Sequence, residues 1–164
     1  MSDARITGHM PRPGQIIGVL DAHARIALNE AKAITMPLVK EEAPGDLGAA
    51  MTGSVRRTTT GYRATVSAPR KKRYRNGKAT VAQVARWVNK GTGIYRTGGG
   101  PKKPITGRHG KAGLMTLPGG KRVRSVRGQH PNPFIARAQT RALAPVTAAL
   151  QAGARSAADA LRRL

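Results

Sequence analysis

The chain lacks cysteine, and its long middle section lacks acidic residues. Without cysteine, neither a disulfide framework nor a thiolate metal site or nucleophile can form. No aspartate or glutamate lies between Asp46 and Asp159. That absence excludes a Ser-His-Asp triad, a glycosidase carboxylate pair and a carboxylate metal cage within the span. We therefore expect no enzymatic activity and no catalytic residue.

Two further site types fail on spacing. The Gly-Lys pairs at 110–111 and 120–121 lack both the earlier glycine and the following hydroxyl residue of a phosphate-binding loop. His109 and His130 have no cysteine or carboxylate partner at ligand spacing, so we expect no zinc site. The sequence indicates no bound cofactor or metal.

Aromatic residues are scarce, at 3% of the chain, while the formal net charge is +23. Few large side chains make a thin core, which favours a protein that reaches full stability only in an assembly. The charge requires anionic partners and opposes self-association of the isolated chain. No apolar run has membrane-spanning length, and the N-terminus lacks the apolar segment of a signal peptide. We expect a soluble protein made in the cytoplasm, with no membrane partner.

Basic residues are densest between Arg70 and Arg127. Arginine beside Tyr74 and Tyr95, with glycines that permit close backbone approach, suits contact with phosphates and carries no base specificity. The same charge suits an acidic protein surface, and many charge runs are simply solvated loops. The candidate polyanion or partner contacts are Arg70, Lys71, Lys72, Arg73, Arg75, Lys102, Lys103, Lys121, Arg122, Arg124 and Arg127.

The first part of the chain predicts an arm, a helix and a hairpin. Residues 1–14 contain two prolines and no periodic pattern, which is typical of a flexible arm. From Gln15 apolar residues recur at three- and four-residue steps, which predicts a long helix that Pro37 kinks or ends. Residues 54–57 and 62–68 flank a Thr-Gly turn and predict a β-hairpin.

The middle of the chain predicts a short helix and a basic arm. Thr80 and Gln83 fit a capping box, and Gly91 occupies the place of a C-terminal cap. A second hairpin is predicted within about 96–128, because two short apolar runs flank the Pro-Gly-Gly turn at 118–120. Lysine and arginine are frequent on both sides of that turn. We expect this hairpin to project from the body of the protein.

A last helix closes the chain. Asn132 and Pro133 are suited to its N-cap and first turn, and Pro145 and Gly153 are expected to kink or break it. The elements together predict one α+β domain over residues 15–164: a long N-terminal helix, a small antiparallel sheet, a projecting basic hairpin, a short central helix and a kinked C-terminal helix.

Two segments of the chain resemble a known family. They are 87–95, Trp-Val-Asn-Lys-Gly-Thr-Gly-Ile-Tyr, and 130–135, His-Pro-Asn-Pro-Phe-Ile. They are similar to the tail-component family of long-tailed bacteriophages, small head-to-tail joining or neck proteins. In that family a helix ends in a Gly-Thr turn, a variable and often basic loop follows, and a Pro-Phe signature opens the closing helix. The order of elements agrees over about residues 15–150.

The resemblance implies a structural virion protein without enzymatic activity. It would form a ring, six- or twelve-fold, at the neck or tail end, as a head-to-tail joining, tail-completion or tail-terminator subunit. Its partners would be copies of itself, neighbouring head-completion and tail proteins, and DNA passing through the channel. The family-motif residues are Trp87, Gly91, Thr92, Pro133 and Phe134, of which the two large aromatics are expected to anchor the core.

A different class of function fits the same composition. A cytoplasmic DNA- or RNA-binding protein of ribosomal or nucleoid type would also be small, basic and poor in aromatics. It would bind nucleic acid tightly as a monomer, in a salt-dependent manner.

Overall fold

The structure is a computed structural model, and it describes residues 11–75, 77–95, 97, 105–106, 115–116, 122–123 and 125–164. Most of these residues lie in helices. The fold is α+β, as predicted. The helices are α1 (Pro13–Glu42), α2 (Leu47–Ala50), α3 (Val81–Lys90) and α4 (Phe134–Leu161), with a 3-10 turn at Gly93–Tyr95. The strands are β1 (Thr52–Thr58), β2 (Gly61–Ser67), β3 (Ile105–Thr106), β4 (Met115–Thr116), β5 (Arg122–Val123) and β6 (Ser125–Val126).

Helix α1 is longer than predicted at both ends. It begins at Pro13 rather than Gln15, because a proline suits the first helical position, where its missing N–H costs nothing. It also continues through Pro37, so of the two predicted effects of this proline, a kink or an end, the end does not occur. Beyond the proline, Val39 is buried and its carbonyl accepts a hydrogen bond from Ala43 N at 3.1 Å. Tertiary burial of the last turn therefore offsets the bond that the proline removes.

Strands β1 and β2 form the predicted hairpin, extended by two residues at the start. Thr52 Oγ1 donates to the Ser67 carbonyl at 3.3 Å, and Thr58 Oγ1 donates to the Gly61 carbonyl at 3.2 Å. These bonds set the same register at both ends of the ribbon. Gly61 has a φ of +140°, which explains the glycine at this turn.

Helix α3 confirms the predicted capping box. Gln83 N donates to Thr80 Oγ1 at 3.3 Å, and Thr80 N donates to Gln83 Oε1 at 2.8 Å. Gly91 is the C-cap residue at the predicted position, and its φ of +73° with a ψ of 174° is a backbone conformation that favours glycine.

Helix α4 begins at Phe134, one position later than the caps predicted. The Pro133 carbonyl accepts the first helical bond, from Arg137 N at 3.1 Å, so Pro133 and not Asn132 holds the N-cap position. Asn132 instead accepts a side-chain bond at 2.7 Å from Arg137 Nη2.

The predicted break in α4 does not occur, since the helix includes Pro145 and Gly153. A Cβ added at Gly153 would lie 2.5 Å from Cβ of Ala27 in α1. The glycine is there because the two helices approach closely, and it does not interrupt the helix.

The chain separates into two compact units, and α1 and α4 contribute residues to both. Unit 1 comprises residues up to Thr35, Gly53–Val66 and Ala142–Leu164; unit 2 comprises Met36–Thr52 and Ser67–Arg141. The buried apolar residues described in unit 2 are Val39, Ala43, Leu47, Met51, Val81, Ala85, Val88, Phe134 and Ala138. Those described in unit 1 are all alanine: Ala27, Ala31, Ala142, Ala149 and Ala157.

The two large aromatics have different environments. Phe134 is 0% exposed, which confirms its predicted core role. Trp87 is 47% exposed, so its prediction as a core anchor is wrong. The buried face of α3 holds Val81, Ala85 and Val88, and position 87 lies about 120° away from that face at 100° per residue.

Candidate polyanion and partner interfaces

The predicted basic tract, residues 70–75, lies on a backbone fixed to the start of α3. Its basic side chains are all exposed. Tyr74 N donates to the Ala79 carbonyl at 3.0 Å, and Val81 N donates to the Lys72 carbonyl at 2.9 Å. An isolated bridge pairs Arg73 with Thr80. Arg70, Lys71, Lys72 and Arg73 thus present their charges from a hydrogen-bonded turn.

Arg75 differs from the other basic residues of the tract because its side chain is paired with a carboxylate, whereas Arg73 Nη1 donates to the Lys78 carbonyl. Its Nε lies 2.7 Å from Asp46 Oδ2, and this hydrogen bond raises the pKa of Arg75. The guanidinium also lies 5.6 Å from the centre of the Tyr74 ring. Arg75 therefore connects the tract to the turn before α2. The sequence around Arg75 does not indicate this role, because Asp46 is 29 residues away.

The two family-like segments meet in unit 2, where Asn132 N donates to the Val88 carbonyl at 2.8 Å, and the residues just before the second segment extend the contact. Thr92 N donates to the Gln129 carbonyl at 2.9 Å, and Gln129 N donates back to Thr92 Oγ1 at 2.8 Å. Ile94 N donates to the Arg127 carbonyl at 2.8 Å. We call this pairing of Gly91–Tyr95 with Arg127–Asn132 the clamp. It holds the residues at the two ends of the basic loop against each other.

Glycines make the clamp possible. Gly93 has a φ of +62° and Gly128 a φ of +108°, and a Cβ on either would overlap a backbone carbonyl of the opposite segment. The rings of Tyr95 and His130 stack across the clamp with centroids 3.6 Å apart. Thr92 of the Gly-Thr turn is thus a positioning residue, through the hydroxyl that accepts from Gln129.

Short antiparallel pairs lie between the two ends of the clamp. Met115 pairs with Val123 and Thr116 with Arg122, which confirms the predicted pairing around the Pro-Gly-Gly turn. Ile105 also pairs with Val126, a pairing that the sequence did not predict. Of the candidates here, Lys102, Lys103, Lys121 and Arg124 fall outside the described residues. Arg127 is exposed, and its carbonyl belongs to the clamp.

An ion-pair network joins the end of α1 to the start of α4 within unit 2. Glu42 Oε2 lies 2.7 Å from Arg137 Nε, and Glu42 Oε1 lies 2.9 Å from Arg141 Nη1. Arg141 Nη1 also lies 3.0 Å from Glu41 Oε1. Hydrogen bonds from Arg137, then from Arg141, lower the pKa of Glu42, and the bonds to Glu41 and Glu42 raise that of Arg141. Arg137 and Arg141 are therefore paired with carboxylates of the same chain.

Large apolar side chains are exposed on unit 1. Six of the eight large apolar residues that are exposed in the described part of the chain belong to it: Ile17, Leu20, Ile26, Leu143, Leu150 and Leu164. Ile17 and Leu20 continue, towards the N-terminus, the α1 stripe whose next turns bury Ala27 and Ala31. Leu143 and Leu150 lie two turns apart on one face of α4.

Within the described ranges, no three His, Asp or Glu side chains are grouped so that they could hold a metal ion. The helices described are all too short or too polar to cross a membrane. Comparisons with protein-family models, with curated proteins and with solved structures each gave no match to this chain.

Proposed function

We propose that this protein is a structural subunit of a tailed-phage virion, which assembles with copies of itself into a ring at the neck or tail end. The observation that carries the proposal is the inverted apolar distribution of unit 1. Its buried positions hold alanine, while Leu143 is 70% exposed, Ile26 62% and Ile17 58%. A protein that works as a free monomer gains nothing from this arrangement, whereas an assembly subunit covers those side chains on its neighbours.

The magnitude fits a subunit that needs several contacts. Complete burial of a leucine or isoleucine side chain contributes about 1.5–3 kcal/mol, so covering the half-exposed residues contributes on the order of 1 kcal/mol each. Five or six of them together give about 5 kcal/mol per subunit, close to the lower estimate of about 4 kcal/mol for the cost of association. Ile17 and Ile26 lie on opposite sides of α1, so one partner cannot cover all of these side chains. A closed ring, in which each subunit has two neighbours, provides two separate interfaces.

Charge on α1 is compatible with self-association despite the net charge of the whole protein. Between Pro13 and Thr35 the helix carries two acids, Asp21 and Glu30, and two bases, Arg25 and Lys32. The exposed stripe of α1 therefore lies on a segment without net charge. Repulsion from the remaining basic residues is screened by salt, since the Debye length falls from about 30 Å at 0.01 M to about 10 Å at 0.1 M.

Two observations support the virion assignment: the resemblance to the tail-component family, and the clamp, which brings the two resembling segments together. The two segments that resemble the tail-component family lie far apart in sequence, yet a hydrogen bond from Asn132 N to the Val88 carbonyl joins them. They hold the two ends of a basic loop, in the order helix, Gly-Thr turn, basic loop, Pro-Phe and helix. The neck or tail-end role belongs to the resemblance and is the part that particle assembly must test.

The test uses Ile17→Glu/Leu143→Glu, with Ala144→Glu as the matched control on an exposed position beside the α4 stripe. We expect wild type and control to sediment as oligomers as salt is raised, and the double variant to remain monomeric and fail to support tailed particles. A wild type that stays monomeric at every salt concentration, with cooperative unfolding and normal particle yields from the double variant, would overturn the proposal. Tight nucleic-acid binding by that monomer would then favour the nucleoid-type alternative.

A further inference from the structure

The β1–β2 hairpin carries three arginines, and they lie on two different faces. Side chains alternate along a strand, so Arg57 shares a face with Val55, while Arg56 lies on the other face. Arg57 Nη2 is 3.2 Å from Asp21 Oδ2, and Val55, Tyr62, Ala64 and Val66 on the same face are partly buried. This inner face packs within unit 1 and its arginine has a carboxylate partner.

The outer face places two arginines directly opposite each other. Both ends of the hairpin share one register, Thr52 with Ser67 and Thr58 with Gly61, and both strands have seven residues. That register pairs Arg56 with Arg63, and both residues are exposed. Directly opposite residues have Cβ atoms about 5 Å apart, and like charges in that arrangement are destabilising.

The remaining outer positions indicate what could compensate for this repulsion. Ser54 and Thr65 flank the arginine pair, and no position on this face of the fully described hairpin is acidic or aromatic. Hydroxyl and guanidinium groups are among the side-chain groups that commonly contact phosphate oxygens. Base stacking on a protein surface needs aromatic rings, which are absent from this face.

We propose that this outer hairpin face, Ser54, Arg56, Arg63 and Thr65, binds the phosphodiester backbone of nucleic acid without reading its sequence. A phosphodiester chain carries regularly spaced negative charges that can neutralise two adjacent guanidiniums. An acidic protein patch would have to hold carboxylates side by side at its own energetic cost. The surface lies outside the basic stretches 70–75 and 121–127, and the proposal holds whether or not the chain forms a ring.

The experiment compares Arg56→Gln/Arg63→Gln with Arg57→Gln, a neighbouring arginine on the opposite face. Affinity for random-sequence duplex DNA is measured over a salt series. Two lost phosphate contacts should lower the slope of log affinity against log salt by about 1.8, at about 0.9 per contact. Arg57→Gln should leave the slope within experimental error of wild type. Equal changes in both variants would show a general charge effect and overturn the proposal.

Further arms identify the source of the negative charge and exclude misfolding. Single-stranded DNA and RNA should show the same ordering, with a slope change of about 1.4 for single strands at about 0.7 per contact. Loss of polyglutamate binding with unchanged nucleic-acid binding would identify an acidic protein as the partner and overturn the proposal. Arg56→Lys/Arg63→Lys keeps both charges and should retain the wild-type slope. Without nucleic acid, the glutamine double variant should melt no earlier than wild type, because a repulsive pair has been removed.

Discussion

Replacing Phe134 with alanine should test how unit 2 is held together. The side chain is 0% exposed and is, with Leu47 and Val81, among the largest that are fully buried. It is also the first residue of α4 and follows the clamp after Pro133, so it fixes where that helix starts. Phenylalanine-to-alanine changes in cores cost about 3–5 kcal/mol. At about 2–4 °C per kcal/mol for a chain of this size, the midpoint of thermal unfolding should fall by about 6–20 °C.

Trp87→Ala is the matched control for that measurement. Trp87 is the larger aromatic but is 47% exposed, and it lies off the buried face of α3. Its removal should cost less than the removal of Phe134, because about half of the Trp87 side chain already contacts water in the folded protein. Unfolding is followed by circular dichroism at a salt concentration where wild type is monodisperse. Equal losses in the two variants, or an unchanged midpoint for Phe134→Ala, would refute the assignment of the core.

Three further outcomes follow from the packing. Gly153→Ala should lower the melting temperature, although alanine normally gains about 1 kcal/mol over glycine in a helix, and Ala27→Gly in the same chain should restore much of the loss. Hydrogen bonds from Arg137 and Arg141 lower the pKa of Glu42, so its contribution to stability is complete above the ordinary pKa of 4.5 and is lost as pH falls through the lower pKa of the folded state. Glu42→Gln should therefore reduce the fall of the melting temperature at acidic pH. Gly93→Ala should open the clamp and speed hydrogen exchange of the Ile94 amide, whereas an unchanged rate would exclude the clamp as a constraint.

Local structure could be predicted from the sequence because its causes lie within a few residues. The capping box depends on Thr80 and Gln83 alone, and the hairpin turn on Gly61, whose positive φ few other residues adopt readily. The buried phenylalanine was predictable for a different reason. A large apolar ring beside a helix start is rarely left exposed to water, and Phe134 is fully buried.

Features set by distant partners were not predictable in the same way. Glu42 and Arg137 are 95 residues apart, and nothing near either of them indicates the other. Pro37 breaks helices by its local chemistry, yet α1 continues because Val39 is buried beyond it. The Arg56 and Arg63 pair was missed because short strands with scattered arginines draw less notice than a run of basic residues. Counting register from the Thr-Thr turn could have found it.

The alanines of unit 1 connect its stability to its assembly. Helices α1 and α4 approach closely where Gly153 lies against Ala27, and Ala149 and Ala157 are also buried, but each buried methyl group contributes only about 0.8 kcal/mol. A helix pair packed this way leaves its larger side chains, such as Leu143, outside the pair. Covering them in an assembly therefore stabilises the same helices that their alanines hold only weakly. It follows that Leu143→Ala should scarcely change unfolding of the isolated subunit, because a side chain that is 70% exposed buries little there. The same variant should lower the dissociation temperature of the assembled form. If Leu143→Ala lowered the unfolding temperature of the isolated subunit and the dissociation temperature of the assembly equally, the connection would be refuted.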